Sequence, residues 1–276
     1  MISGIIFTKN RALQLDLLLQ SIEKNGNDIF DVTVLYRHTN EEFKKGYEKV
    51  KSRFPDVNWV EESDFQKDCF DILQKASELV SFFVDDNILY SPMKANCDQI
   101  KSFLEPRNVY CLSLRLGANT IIQNYHTGTL CILPQQGSIV DKTFFVWNWK
   151  SLPPFTNFSY PFSVDGHIFN KEDVLKVISQ YDFDTPNAFE GNATRFLPEE
   201  IPVEMSSFKK SVLVNTPLNL VGSSENAAGK DFGVSIEDFN SKYLDGYIPS
   251  LEDMDFSEIR GCHQELEIKL TKECNV

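Results

Sequence analysis

The chain has 276 residues, a formal net charge of −13, and 42% hydrophobic and 24% charged residues. That length suits one large domain, or a core with a smaller appendage, and buries roughly three-quarters of the unfolded surface without disulfide staples. The acidity, with no run of Lys and Arg, argues against nucleic acid and anionic lipid as partners, and no stretch approaches the ~18 apolar residues of a membrane span.

Strand and helix patterns alternate along the first hundred residues. Ile5 to Phe7 reads as a strand ending in Thr8-Lys9-Asn10-Arg11, and Leu15, Leu18, Leu19 and Ile22 follow at helical spacing. Val32 to Tyr36 is a second strand, ending in Arg37-His38, and Phe43, Tyr47, Val50 and Phe54 form a second helical stripe. Val57 to Val60 is a third strand, followed by a stripe of Phe65, Cys69, Ile72, Leu73 and Ala76. Leu79 to Val84 is almost continuously apolar, as a strand buried on both faces of a parallel sheet should be. It stops at Asp85-Asp86-Asn87. Ser91-Pro92 predicts the start of a fourth helix, with Met93, Cys97, Ile100 and Leu104 on its apolar face, and Val109 to Leu114 is a fifth strand.

This order predicts an α/β fold with a doubly wound, mostly parallel central sheet flanked by helices. Ligands in such sheets sit at the carboxyl ends of the strands, where three polar clusters fall: residues 8–11, 37–38 and 85–87. Residues 115–165 change to short β-like pieces rich in aromatic residues, Trp147 and Trp149 among them; these are core, or a platform for a sugar ring. Asp165-Gly166-His167 leads into a strand through Phe169 and a helix starting at Asn170. The tail from about 215 is polar, with Gly222-Ser223-Ser224 and Ala227-Ala228-Gly229 as loops and a late helix capped by Ser235. The expected organisation is a catalytic domain over 1–210, in halves 1–115 and 116–210, with 211–276 a C-terminal extension packed on it. The six Cys, at 69, 97, 111, 131, 262 and 274, have no CxxC or other zinc spacing and read as reduced thiols. With no leader peptide legible at the N-terminus, a cytoplasmic location is expected.

The strongest local signal for chemistry is Asp85-Asp86-Asn87. Adjacent carboxylates at a strand end repel each other, and a hard divalent cation relieves that repulsion while bridging to a diphosphate. An acidic turn capping the next segment explains the same residues equally well. Asp165, Glu190 and His167 are candidates for acid–base work, a general base being needed wherever a hydroxyl must lose its proton. Lys9 and Arg11 can pair with a phosphate.

Taken together, Ile5-Ile6-Phe7-Thr8-Lys9-Asn10-Arg11 and Phe82-Phe83-Val84-Asp85-Asp86-Asn87 resemble the first strand and the Asp-x-Asp metal motif of GT-A-fold glycosyltransferases, the family-2-like group in particular. The third Asp of that motif is Asn87 here. The resemblance covers about residues 3 to 200. It implies a Rossmann-like GT-A fold and a metal-dependent transfer of a sugar from a nucleotide diphosphate sugar to a hydroxyl acceptor, a glycan or glycoconjugate. It implies that Thr8, Asn10, Arg11, Arg37, Asp85, Asp86 and His167 hold the donor. Asp86, Asn87 and a C-terminal His, His263, would hold Mn2+ or Mg2+, and Glu190 or Asp165 would act on the acceptor. A nucleotidyltransferase remains as an alternative, although Thr8-Lys9-Asn10 lacks the Gly-rich loop of that class. So does a non-catalytic nucleotide- or sugar-binding module.

Overall fold

The structure, a computed structural model, describes residues 1–135, 137–140, 142–221 and 228–273. Gly222-Ser223-Ser224, Ala227 and Cys274 lie outside the described residues. Strands β1 (Ile2–Lys9), β2 (Phe30–Arg37), β3 (Asn58–Glu61) and β4 (Leu79–Val84) alternate with helices α1 (Ala12–Asn25), α2 (Glu41–Arg53) and α3 (Phe65–Lys75). After β4 come β5 (Asn87–Leu89), α4 (Cys97–Arg107) and β6 (Val109–Ser113). The aromatic middle carries β7 (Ile122–Asn124), β8 (Thr129–Leu130), β9 (Gly137–Val140) and β10 (Phe144–Asn148). Then follow β11 (His167–Asn170), α5 (Lys171–Ile178), α6 (Pro186–Arg195), β12 (Glu204–Phe208), β13 (Leu213–Asn215), α7 (Ile236–Leu244), β14 (Tyr247–Pro249) and β15 (Leu270–Lys272).

Among the described residues the main sheet has nine strands in the order β3-β2-β1-β4-β11-β6-β12-β10-β9. Pairing makes β11 and β10 antiparallel to the other seven, so the sheet is mostly parallel, as the alternating pattern predicts. Side chains that alternate along a strand feed two cores. Ile2 and Ile6 of β1 join α1, α2, α4 and α7 on one face. Ile5 and Phe7 join α3, α5 and α6 on the other. On β4, Leu79 and Phe83 face the first core while Val80 and Phe82 face the second, which is why that strand reads as an unbroken apolar run. The second core is largely Phe: Phe7, Phe82, Phe162 and Phe189 stack or meet edge to face at centroid separations of 5.1–6.1 Å.

The fourth helix begins five residues later than Ser91-Pro92 suggests. Residues 87–89 pair with β13, the chain from Ser91 is held by backbone bonds to Val212 and Asn25, and the helix is capped by Asn96 and starts at Cys97. Asn96 and Gln99 form a reciprocal capping box, and this outcompetes a Ser-Pro start whose residues are tied elsewhere. Trp147 is a core residue with its indole N–H bonded to Phe158 O, whereas Trp149 is half-buried against that core with its N–H bonded to Pro202 O. No helix among the described residues is long and apolar enough to cross a membrane. Cys69, Cys97, Cys111, Cys131 and Cys262 are free thiols.

Two features of this topology position the site. Strand β11 runs antiparallel between β4 and β6, so its leading end lies where the parallel strands finish. Gly166, at φ +70°, makes the tight entry, its N–H bonding Phe82 O at 2.7 Å, and sets Asp165 beside the end of β4. The C-terminal segment then closes over the same edge: β13 sets Asn215 opposite Asn87, and His263 bridges to Asn215.

Candidate functional site

The acidic turn after β4 meets a cation from the turn after β1. Arg11 Nη1 lies 2.8 Å from Asp85 Oδ1 and 3.2 Å from Asp86 Oδ2. Its Nε donates to Asn219 Oδ1 at 2.8 Å and its Nη2 to Asn219 O. The Lys9 N–H reaches Asp85 Oδ2 at 3.3 Å, and Asn215 Nδ2 donates to Asp86 Oδ1 at 2.7 Å. Burial pushes the Asp86 carboxyl up to about 6, with Asp85 and Asp165 adding to the rise and Arg11 and Asn215 opposing it. Asn87 is fully buried: its Oδ1 accepts from Val84 N–H at 3.0 Å, which closes the turn, and its Nδ2 donates to Asp165 Oδ1 at 3.0 Å.

Asp165 links this turn to a second buried cation. Its Oδ1 accepts from Asn87 and Asn215, and its Oδ2 lies 2.8 Å from Arg115 Nη1 and 3.0 Å from His263 Nε2. Burial alone would raise Asp165. The His263 hydrogen bond and the Arg115 charge outweigh it and hold the carboxyl well below the usual range. The effect on His263 is reciprocal. Burial opposes its protonation, but Cys262 and Asp165 raise it, although 44% of its side chain is open to solvent. Both Arg115 Nη1 and His263 Nε2 address the same carboxylate oxygen, so Nε2 serves as a donor and has no lone pair to offer. Glu190, on α6, accepts from Val164 N–H at 3.1 Å, next to Asp165. Burial and then the Asp165 charge raise its carboxyl, the opposite of what happens to Asp165.

The structure therefore brings Arg11, Asp85, Asp86, Asn87, Asp165 and His263 into one network, with Glu190 beside it. Other expected donor residues have structural work. Thr8 Oγ1 lies 2.8 Å from the hydroxyl of Tyr47, which also accepts from Arg11 N–H. Asn10, at φ +60°, spends its whole amide on Thr39 and so ties the ends of β1 and β2. His167 is fully buried in β11, with Nδ1 3.4 Å from Pro161 O and Nε2 without a partner. Burial lowers its pKa to about 3, so it is a neutral core histidine, out of reach of a donor as it stands. Arg37 is exposed and pairs with Glu62 at 2.9 Å. Both line an open cleft of about 620 Å³ at the ends of β2 and β3, with Asp64 and Phe65 on one wall and Phe183, Ala188 and Asn192 on the other.

The network does not fit a bound divalent cation. Among the described residues no three His, Cys, Asp or Glu side chains are grouped as metal ligands. Of the three expected ligands, Asp86 accepts from Arg11 and Asn215, Asn87 turns its oxygen to its own backbone, and His263 donates to Asp165. The repulsion between Asp85 and Asp86 is relieved by an arginine of the chain itself. Arg115, Asn215 and Asn219 are absent from the sequence-based candidates. Arg115 carried one signal, a lone charge in Leu114-Arg115-Leu116 after a strand. The two Asn sit in a polar tail with nothing to distinguish them.

No protein-family model matches the chain. The bifunctional glycosyltransferase pgtA of Dictyostelium discoideum is 30% identical over 217 residues, 69% of this chain and 28% of that protein. The chain thus spans little more than a quarter of the relative's length. Among solved structures, the mannosyltransferase PcManGT from Pyrobaculum calidifontis, in complex with GDP-Man and Mn2+, shares 14% identity over 71% of this chain and 51% of its own, with a TM-score of 0.42. TarS of S. aureus shares 18% over 76% and 35%, at 0.43. TarS 1-349 in complex with UDP-GlcNAc shares 16% over 87% and 63%, at 0.42. The chain is therefore related in sequence to part of a glycosyltransferase.

Proposed function

We propose that this chain is a glycosyltransferase that moves a sugar from a nucleotide diphosphate sugar to a hydroxyl acceptor. The observation that carries this reading is the 30% identity over 217 residues to a glycosyltransferase. The geometry supports it. The network lies at the carboxyl edge of the sheet, where ligands of such folds bind, and the ends of β2 and β3 on that edge open into a cleft of about 620 Å³. In this reading the cleft by Arg37, Asp64 and Phe65 takes the nucleoside, and the diphosphate lies toward Arg11 and Arg115. The acceptor approaches Glu190, whose raised carboxyl suits a group that takes a proton, while Asp165 stays ionised and holds Arg115 and His263. Mn2+ or Mg2+ would neutralise the leaving diphosphate, but either ion would require Arg11 to withdraw from Asp85 and Asp86.

The test is a thermal-shift panel of UDP- and GDP-sugars, followed by an assay for nucleoside diphosphate release. One donor should raise Tm by mass action and be slowly hydrolysed. A panel with no shift and no release would remove the transferase reading. Binding without release would favour a non-catalytic module.

A further inference from the structure

The positive charge facing the acidic turn is built into the fold. Arg11 sits between Asp85 and Asp86, fixed from behind by both the amide oxygen and the backbone oxygen of Asn219. A cation at the ~2.0–2.2 Å of a metal–oxygen bond would have to expel that guanidinium from a site where its side chain is 11% exposed. Asn215 would have to release Asp86, and Asp165 would have to release His263. A second guanidinium stands ready on the other side. Arg115 is 3% exposed and uses only Nη1, toward Asp165. Its Nε is buried without a partner, and among the described residues no hydrogen bond engages Nη2. Those two N–H groups form the fork edge that matches two oxygens of a phosphate. Its other charged or polar neighbours are Cys262, Glu190 and Tyr160.

We infer that the sugar transfer needs no bound divalent cation, because Arg11 and Arg115 supply the positive charge that meets the donor's diphosphate. The inference rests on the transferase reading. In the reaction the bond between the anomeric carbon and the diphosphate oxygen breaks, with both electrons staying on that oxygen. The acceptor oxygen bonds to the anomeric carbon, and its proton passes to a carboxylate of the site. The negative charge gained by the departing diphosphate is met by the unpartnered Nε and Nη2 edge of Arg115, which the donor must uncover as it binds. Arg11 keeps Asp85 and Asp86 from repelling it.

Calorimetry with UDP and GDP tests this directly, in chelator and again with MnCl2. The expected result is one nucleotide binding with the same Kd in both, to within about twofold. Arg115→Met should weaken that binding about tenfold or more, with Arg115→Lys between the two. A Kd about tenfold tighter with MnCl2 would overturn the inference while sustaining the donor reading. If neither nucleotide binds under either condition, the donor reading falls and this inference with it. Electron paramagnetic resonance of Mn2+ gives a readout independent of nucleotide. The wild-type protein should leave the free-ion spectrum unchanged, whereas Arg11→Met, by exposing Asp85 and Asp86, should capture the ion. Capture by the wild-type protein would overturn the inference. Should Arg11→Met fail to fold, Arg11→Lys retains the charge and is expected to behave as wild type in both measurements.

Discussion

Asp165→Asn isolates the pairing on which the site is built. The amide oxygen can still accept from Asn87 and Asn215, as Oδ1 does now. The new NH2 group then faces Arg115 Nη1, where a carboxylate oxygen stood at 2.8 Å, and also faces His263 Nε2. Arg115 is 3% exposed, so its charge is left buried without a counter-ion. Breaking one side of such a pair costs about 3–5 kcal/mol, a large share of the ~5–15 kcal/mol that holds a domain folded. At about 2–4 °C per kcal/mol for a chain of this size, Tm should fall by roughly 6–20 °C. Urea unfolding at pH 7 gives the free energy. The double variant Asp165→Asn with Arg115→Met removes the stranded charge and should recover most of the loss, giving a coupling energy of about 1–3 kcal/mol or more. A single variant within about 1 kcal/mol of wild type would refute the buried-pair account. So would a double variant whose cost is the sum of the two.

Three further predictions concern other parts of the network and its surroundings. Glu190→Gln should lose roughly 10²–10⁴-fold in transfer while keeping nucleotide affinity; if Asp165→Asn stops transfer and Glu190→Gln does not, the base lies at Asp165. His167 is buried neutral with its pKa lowered to about 3, so the unfolded chain binds the extra proton between about pH 3 and 6.5. Stability should therefore decline as pH falls below about 6.5, and less steeply in His167→Phe; equal slopes for the two proteins in urea titrations at pH 7.5 and 5 would count against this. Thr8→Val breaks a buried bond to Tyr47 and should cost about 0.5–1.5 kcal/mol with nucleotide affinity unchanged, whereas a large loss of affinity would return Thr8 to the donor site.

The first half of the fold is legible because each element there is decided locally. Leu15, Leu18, Leu19 and Ile22 recur at helical spacing and are buried, and β4 is apolar on both faces because both faces are covered. Asp85, Asp86 and Arg11 are findable because they interrupt such patterns at strand ends. The start of α4 is misread because Ser-Pro is a sound start signal whose residues are claimed by Val212, far along the chain. His167 follows Asp165-Gly166 as a ligand residue might, and only the sheet order shows it sandwiched between two strands. Asn215 and Asn219 are the hardest to find. Nothing within their own neighbourhoods calls for an amide; the demand comes from carboxylates 50 and 129 residues away and a guanidinium 208 away.

That separation has a consequence for how the protein is made. Asp86 and its amide partner Asn215 are 129 positions apart, and Arg11 and Asn219 are 208 apart. At about 5–20 residues per second, the stretch from Asp86 to Asn215 takes a ribosome roughly 6–26 s to translate, so Arg11, Asp85 and Asp86 precede the segment that pins them by that interval. Through that interval the acidic turn has Arg11, itself unpinned, and the Lys9 N–H as partners from the earlier chain. The parallel strands β1 to β4 can pair and bury their apolar faces meanwhile, since none of their contacts with one another needs the later chain. The charged network is thus completed only once Asn215 and Asn219 have been made.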